Sequence, residues 1–374
     1  MQRRWDIFCR VVDNFGDIGV CWRLARQLTH EHHQSVRLWI DDLASFACIT
    51  PTVDPNIQYQ VIHGVEIGRW QEVFIAVEPA EVVIEAFACE LPEVYVAALL
   101  QKIKQPVWIN LEYLSAEPWV TQYHALPSPH PRLSLTKTFF FPGFVQGTGG
   151  LLRERDLIGQ REAFGMAVEH AFLQRQDLPE RNSDEIRISL FCYDTAPVEK
   201  LIQILSESTV PVLLVVPKGK VAESIMAFFA CESALMTHGQ LTVQVIPFME
   251  QTDYDRLLWS CDVNFVRGED SFVRAQWGMN PFVWNIYPQT ESAHWKKLDA
   301  FLELYTVDMS MEMAAAVREM WHCWNGRSEV NSAIWMNFLS FRKPLAYHNK
   351  NWVKQLLKQN DLTSSLVQFA ENRL

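Results

Sequence analysis

The chain has no Cys-x-x-Cys pair, no basic excess and no long uninterrupted apolar run, and each absence narrows what it does. Its eight cysteines, Cys9, Cys21, Cys48, Cys89, Cys192, Cys231, Cys261 and Cys323, are scattered, several of them inside apolar stretches. They read as reduced, mostly buried thiols of a cytoplasmic protein. Lysine and arginine number 33 against 44 aspartates and glutamates, a formal net charge of −11. Broad phosphate-backbone binding needs a basic face, so nucleic acid is not expected as a partner. An acidic surface suits a locally basic partner instead, such as an exposed arginine or lysine loop. The opening Met1-Gln2-Arg3-Arg4-Trp5-Asp6 runs into a short strand pattern and not into a signal-peptide core; nothing reads as a membrane span. Repeats at solenoid periods and low-complexity tracts are missing too.

What is present is a 374-residue chain, 49% hydrophobic and 21% charged, which has the composition of a soluble globular protein and the length for two domains. Strand-like apolar runs alternate with helical patterns almost throughout, which predicts α/β architecture with parallel sheets. In the first half, strands are expected at 5–12, 36–40, 82–86, 107–111 and 138–141, with the first helix over 20–31. The second half restarts the alternation at 186–193, 212–216, 242–246, 263–266 and 282–286, a second doubly wound domain. Between Pro142 and Gly150 turn residues crowd together, so the boundary is placed there: domains over 1–150 and 151–350, with a closing C-terminal helix over 351–374 for which packing back on the first domain is one placement, although the sequence itself does not say which domain it covers.

Two strand-to-helix turns carry the chemistry. Val263-Asn264-Phe265-Val266 leads into Arg267-Gly268-Glu269-Asp270-Ser271 and a helix. Gly268 permits a sharp turn, Asp270 and Ser271 suit a helix start, and the free N–H groups and positive dipole end favour a diphosphate, with the Ser271 hydroxyl as a further donor. The plainer reading is a turn capped by its own acids. The first strand opens into Asp13-Asn14-Phe15-Gly16-Asp17-Ile18-Gly19, nearly a dinucleotide fingerprint, with Asn14 in the first glycine position and Asp41-Asp42 where a ribose-binding acid would fall. A nicotinamide-dependent oxidoreductase is therefore one alternative, but Asp13 and Asp17 put two carboxylates where a pyrophosphate would sit. A carboxylate at a strand's carboxyl end is better placed as a general base or a clamp on a cationic acceptor, and Asp17 is the first choice; alternatively it complements the helix dipole. Asp13 and Asp17 make a weak metal pair, and His30-Glu31-His32-His33 reads as a solvated turn, so no metal is expected. Phe191-Cys192-Tyr193, with Phe248 and Gln251, offers rings and an amide to stack on and read a nucleobase, although single aromatics more often belong to a core. The loop Asn110 to Glu117 gathers polar groups for acceptor contacts, or is simply solvated.

These stretches resemble the EarP family, the protein-arginine rhamnosyltransferases that modify bacterial translation elongation factor P. The resemblance rests on Val12 to Val20, Trp22-Arg23-Leu24-Ala25-Arg26, Leu111 to Glu117, Gly149-Gly150-Leu151 and the string Arg267 to Gln276. It implies a GT-B glycosyltransferase with two Rossmann-like domains facing a central cleft. The implied reaction is an inverting, metal-independent transfer of L-rhamnose from dTDP-β-L-rhamnose to a guanidino nitrogen, with no cofactor. Carried over by position, donor contacts fall on Asn14, Phe15, Gly16 and Asp17, on Tyr193, on Phe248 and Gln251 around the thymine, and on Arg267, Gly268, Glu269, Asp270 and Ser271. The implied catalytic carboxylates are Asp17 and Glu269, with Asp13 also needed for activity. A non-catalytic docking protein for elongation factor P is the remaining alternative.

Overall fold

The computed structural model describes residues 2–13, 15–289 and 292–374 and divides into two compact units. The first runs to Arg155 and takes in Gln355–Leu374; the second is Asp156–Lys354. In chain order the first unit contains β1 (Arg4–Cys9), α1 (Gly16–His30), β2 (Ser35–Ile40), α2 (Leu43–Ile49), β3 (Tyr59–Ile62), β4 (Val65–Arg69), β5 (Val82–Ala86), α3 (Glu93–Leu100), β6 (Val107–Leu111), α4 (Val120–Tyr123), β7 (Pro127–Pro129) and β8 (Thr136–Phe140). Its sheet runs β3-β4-β2-β1-β5-β6-β8-β7, parallel from β4 to β8 with an antiparallel hairpin at each edge.

The second unit contains α5 (Leu157–Ala163), α6 (Met166–Arg175), β9 (Ile186–Leu190), α7 (Val198–Ser206), β10 (Val212–Pro217), α8 (Lys220–Phe228), β11 (Leu235–His238), β12 (Leu241–Ile246), α9 (Gln251–Ser260), β13 (Val263–Arg267), α10 (Asp270–Gly278), β14 (Phe282–Asn285), α11 (Ala293–Tyr305), α12 (Met311–Trp324), α13 (Ser332–Ser340) and most of α14 (Arg342–Leu356). The order β11-β12-β10-β9-β13-β14 is parallel except at β11. The last helix, α15 (Leu362–Glu371), belongs to the first unit.

Every strand expected from an apolar run forms. Four of them stop short, β8 and β14 by one residue and β1 and β9 by three, because the backbone donors leave the ladder for side chains. β1 ends at Cys9, not Val12: Val11 N donates to Asp41 Oδ1 at 2.9 Å, and Val12 N and Asp13 N both donate to Asp17 Oδ2 at 2.9 Å. β9 ends at Leu190, and Tyr193 N donates to Asn285 Oδ1 at 2.9 Å. The break between units falls at Arg155, later than the turn-rich stretch, since the chain there is still tied to α1. Gln27 Nε2 donates to Arg153 O at 2.8 Å and Arg155 N to Glu31 Oε1 at 2.8 Å.

Aromatic burial builds both cores. Phe8 packs within 4.7 Å of Tyr95 and 5.6 Å of Trp70, and in the second unit Phe272 stacks on Trp284 at 3.9 Å. Buried charge is paired: Asp6 accepts both Arg37 Nε and Nη2 at 2.7 Å, with the Tyr95 hydroxyl on the same carboxylate. α15 reaches the first unit through Gln27, which donates to Asp361 Oδ1 at 3.1 Å and accepts from Thr363 Oγ1 at 2.7 Å, and through Phe369 against Phe140 at 5.4 Å. At the junction, Leu362 N donates to Leu151 O at 2.9 Å, and the Gly150 backbone (φ +77°) lies so near Asn360 that a Cβ would stand 2.2 Å from its carbonyl oxygen.

Candidate active site

In the first unit the expected loop lies at the carboxyl end of β1. Gly16 N donates to Asp13 O at 2.6 Å and Gly19 N to Phe15 O at 2.9 Å, which starts α1 at Gly16, a turn earlier than its apolar pattern announces. Gly16 is needed for close approach, since a Cβ there would stand 2.6 Å from Asp13 Oδ2. Asp13 and Asp17 are both buried, Asp17 only 3% exposed, and Phe15 is half-buried; Asn14 lies outside the described residues. Burial pushes the Asp17 carboxyl above its ordinary value, opposed by the amides of Asp13 and Val12 and by a hydrogen bond from the Tyr113 side chain, while Asp41 adds to the rise. Asp17 therefore organises the loop as well as presenting a carboxylate. Tyr113 stacks on Phe87 at 4.5 Å, and Phe87 and Ala88 sit at positive φ after β5. Tyr113 lies on the polar loop that follows β6, and its link to Asp17 ties that loop to α1 with no local signature in the sequence.

The two aspartates expected to resemble a ribose site are otherwise engaged. Asp41 holds Val11, and Asp42 caps α2 by accepting from Ser45 N at 3.0 Å and Ser45 Oγ at 2.5 Å. No group of three or more His, Cys, Asp or Glu is arranged to hold a metal among the described residues.

The second unit brings its expected residues together at the carboxyl edge of its sheet. The Arg267 guanidinium lies 4.5 Å from the Phe191 ring centroid and 4.7 Å from that of Tyr193. Phe191 also meets Phe248 edge-on at 6.2 Å. Gly268 takes φ +59° and accepts from Trp284 Nε1 at 2.8 Å. The N-cap of α10 is Glu269, whose side chain makes no capping bond, and Asp270 and Ser271 fall in the first turn, within the expected helix start. Gln251 Nε2 donates to Asp270 Oδ2 at 3.1 Å. The Ser271 hydroxyl, expected as a further donor to a diphosphate, here accepts from Arg267 N at 3.0 Å and donates to Arg267 O. Tyr287, edge-on to Tyr193 at 5.4 Å, is an aromatic at this edge that sequence reading missed.

Two doubly wound parallel-sheet units, each with its polar residues at the carboxyl edge, define a GT-B glycosyltransferase fold. A glycosyltransferase from Rickettsia africae matches at TM-score 0.52 and 9% identity over 100% of this chain and 98% of that one. A UDP-glucosyltransferase from Polygonum tinctorium matches at TM-score 0.56 and 10% identity, over 100% and 99%. The family model for the elongation factor P rhamnosyltransferase EarP matches residues 5–371, and the chain belongs to that family. Protein-arginine rhamnosyltransferases are 46% identical over the whole of both chains in Pseudomonas putida, and 44% identical over 98% of each in Pseudomonas aeruginosa. A solved structure concerning EarP-mediated arginine glycosylation of translation elongation factor EF-P superposes at TM-score 0.70 with 33% identity, covering both chains fully. Family membership leaves the oxidoreductase and docking-only readings without support.

Proposed function

We propose that this chain transfers L-rhamnose from dTDP-β-L-rhamnose to a guanidino nitrogen of an arginine in translation elongation factor P, with inversion at the sugar. The observation that carries the chemistry is the buried Asp17 carboxylate, fixed through Oδ2 by two backbone amides. A guanidinium is protonated at any physiological pH and its lone pairs are delocalised, so arginine is a poor nucleophile until oriented. Asp17 orients it and accepts its proton late, as the C–N bond forms and the bond from the anomeric carbon to the diphosphate oxygen breaks. The proton passes to Asp17 and dTDP departs with the electron pair. Asp13 and Glu269 are the further carboxylates of the reaction. Arg267 and the N-terminus of α10 supply positive potential for the departing diphosphate, so no metal is required. The acidic surface suits a basic arginine loop as acceptor. No helix among the described residues is long and apolar enough to cross a membrane, and the proposed setting is the cytoplasm, with neither membrane nor nucleic acid as a partner.

Intact-mass measurement on elongation factor P incubated with the protein and dTDP-β-L-rhamnose should show one added deoxyhexose, undiminished in EDTA. Unchanged mass at saturating donor would sink the assignment; activity lost to chelator and restored by Mg²⁺ would sink the metal-free part. Phe248→Ala should weaken dTDP binding by about 1–3 kcal/mol if the ring stacks on thymine. Calorimetry showing the parent affinity in a folded variant would place the base elsewhere.

A further inference from the structure

Helices α9 and α10 face each other through residues spaced three and four apart: Gln251, Tyr254 and Asp255 on one, Asp270, Ser271 and Arg274 on the other. Two of these rungs are made. Gln251 donates to Asp270, and Arg274 Nε and Nη2 donate to Asp255 at 2.9 and 2.6 Å, a pair only 2% and 4% exposed. The middle rung is open. Tyr254 Oη is shut off from solvent and no partner among the described residues meets it with hydrogen-bond geometry; the Ser271 hydroxyl lies near enough to lower the Tyr254 phenol as a hydrogen-bonding neighbour does, but not at a distance and angle that complete the bond. Ser271 Oγ is occupied on its other side by the amide and carbonyl of Arg267.

A buried hydroxyl without a partner is costly and uncommon in a folded protein. Tyr254 is in no position to find one by moving. Its helix is held by the buried Asp255–Arg274 pair, and its ring lies 6.0 Å from Phe191 at 67°. Burial holds its phenol far above the ordinary range, so it is a proton donor at every working pH. The group able to turn is the Ser271 hydroxyl.

We propose that Tyr254 and Ser271 form a two-hydroxyl relay that closes when the donor diphosphate arrives. Ser271 releases the Arg267 carbonyl and donates to a phosphate oxygen, and Ser271 Oγ then accepts from Tyr254 Oη. One neutral hydrogen bond is exchanged for two, one of them to a charged acceptor, so the exchange favours the occupied state. Tyr254 is a positioning residue in this scheme; it acts through Ser271 and touches no reacting atom. The inference rests on the donor reading proposed above.

The test is calorimetric titration of the full chain with dTDP, for Tyr254→Phe, Ser271→Ala and the double variant, beside thermal melting of each. Tyr254→Phe removes a hydroxyl that has no partner in the free protein, so it should melt no lower than the parent yet bind dTDP about five- to tenfold more weakly. In the Ser271→Ala background the same change should cost nothing further. A Tyr254→Phe protein that binds dTDP as tightly as the parent overturns the relay, as does full additivity of the two changes. Melting well below the parent also overturns it, because the hydroxyl would then have a partner without ligand. A parent that fails to bind dTDP overturns the donor reading and the relay together, whereas a parent that binds normally confines any failure to the relay.

Discussion

Asp17→Asn is expected to lower turnover by about 10²-fold or more while dTDP-rhamnose still binds within a few-fold. The amide cannot take the guanidinium proton, but its carbonyl oxygen can still accept from Val12 N and Asp13 N, the two bonds that shape the loop. The fold should therefore survive. Because burial raises the Asp17 carboxyl in the folded protein, its ionisation there is disfavoured relative to the unfolded chain, whose value is near 3.8. Stability tied to this group is lost as pH rises from the unfolded value through the higher folded one, and Asn removes that loss. Activity has the opposite dependence: it needs the ionised form, so the acid limb of the parent's rate profile should lie above the usual aspartate range and be absent from the residual rate of the variant. Glu269→Gln is the companion measurement, since a residue holding donor hydroxyls loses affinity with rate. A folded Asp17→Asn protein that binds donor and rhamnosylates at near the parent rate would move the base to Asp13 or Glu269.

Gly150→Ala should destabilise the protein by about 2–4 kcal/mol, the range for backbone strain combined with overpacking. A Cβ there meets the Asn360 carbonyl oxygen at 2.2 Å, a backbone atom with no rotamer to escape into, and φ of +77° strains any other L-residue. Relief would require the segment before α15 to lift away from Gly150. Gly159→Ala is the control, because a Cβ at that helical position meets nothing within 4 Å and alanine is the better helix former. Equal denaturation midpoints for the two variants would show that the segment has slack the structure does not reveal.

Much of this arrangement was legible because it is written locally. Apolar runs such as Val263–Val266 and Val212–Val216 are strands buried on both faces, and glycine with short polar residues between strand and helix marks both site loops. The hairpin β3–β4 was not legible, since Tyr59–Ile62 has no fully buried residue and so no apolar run. Strand ends were misjudged where carboxylates far along the chain take the backbone donors, as Asp41 does at Val11. Tyr113 on Asp17 and Tyr254 beside Ser271 belong to the same class: each neighbour is supplied by another element, and no spacing in the sequence announces it. The motif Gly149-Gly150-Leu151 was visible as a signature, but its physical reason became clear only with Asn360 lying against it.

The placement of α15 has a consequence for how the protein is made. Its apolar residues Leu362, Leu366 and Phe369 are buried in the first unit, although they are synthesised after the whole of the second. Synthesis runs from the N-terminus, and domains generally fold as units as they emerge. Here the whole second unit is translated between Arg155 and the helix that completes the first. Until then Gln27 lacks Thr363 and Asp361, and Phe140 lacks Phe369. The first unit thus begins before the second and is completed after it, and a nascent chain stalled before residue 355 would display an unfilled apolar seat on α1 and β8 to whatever chaperone attends it.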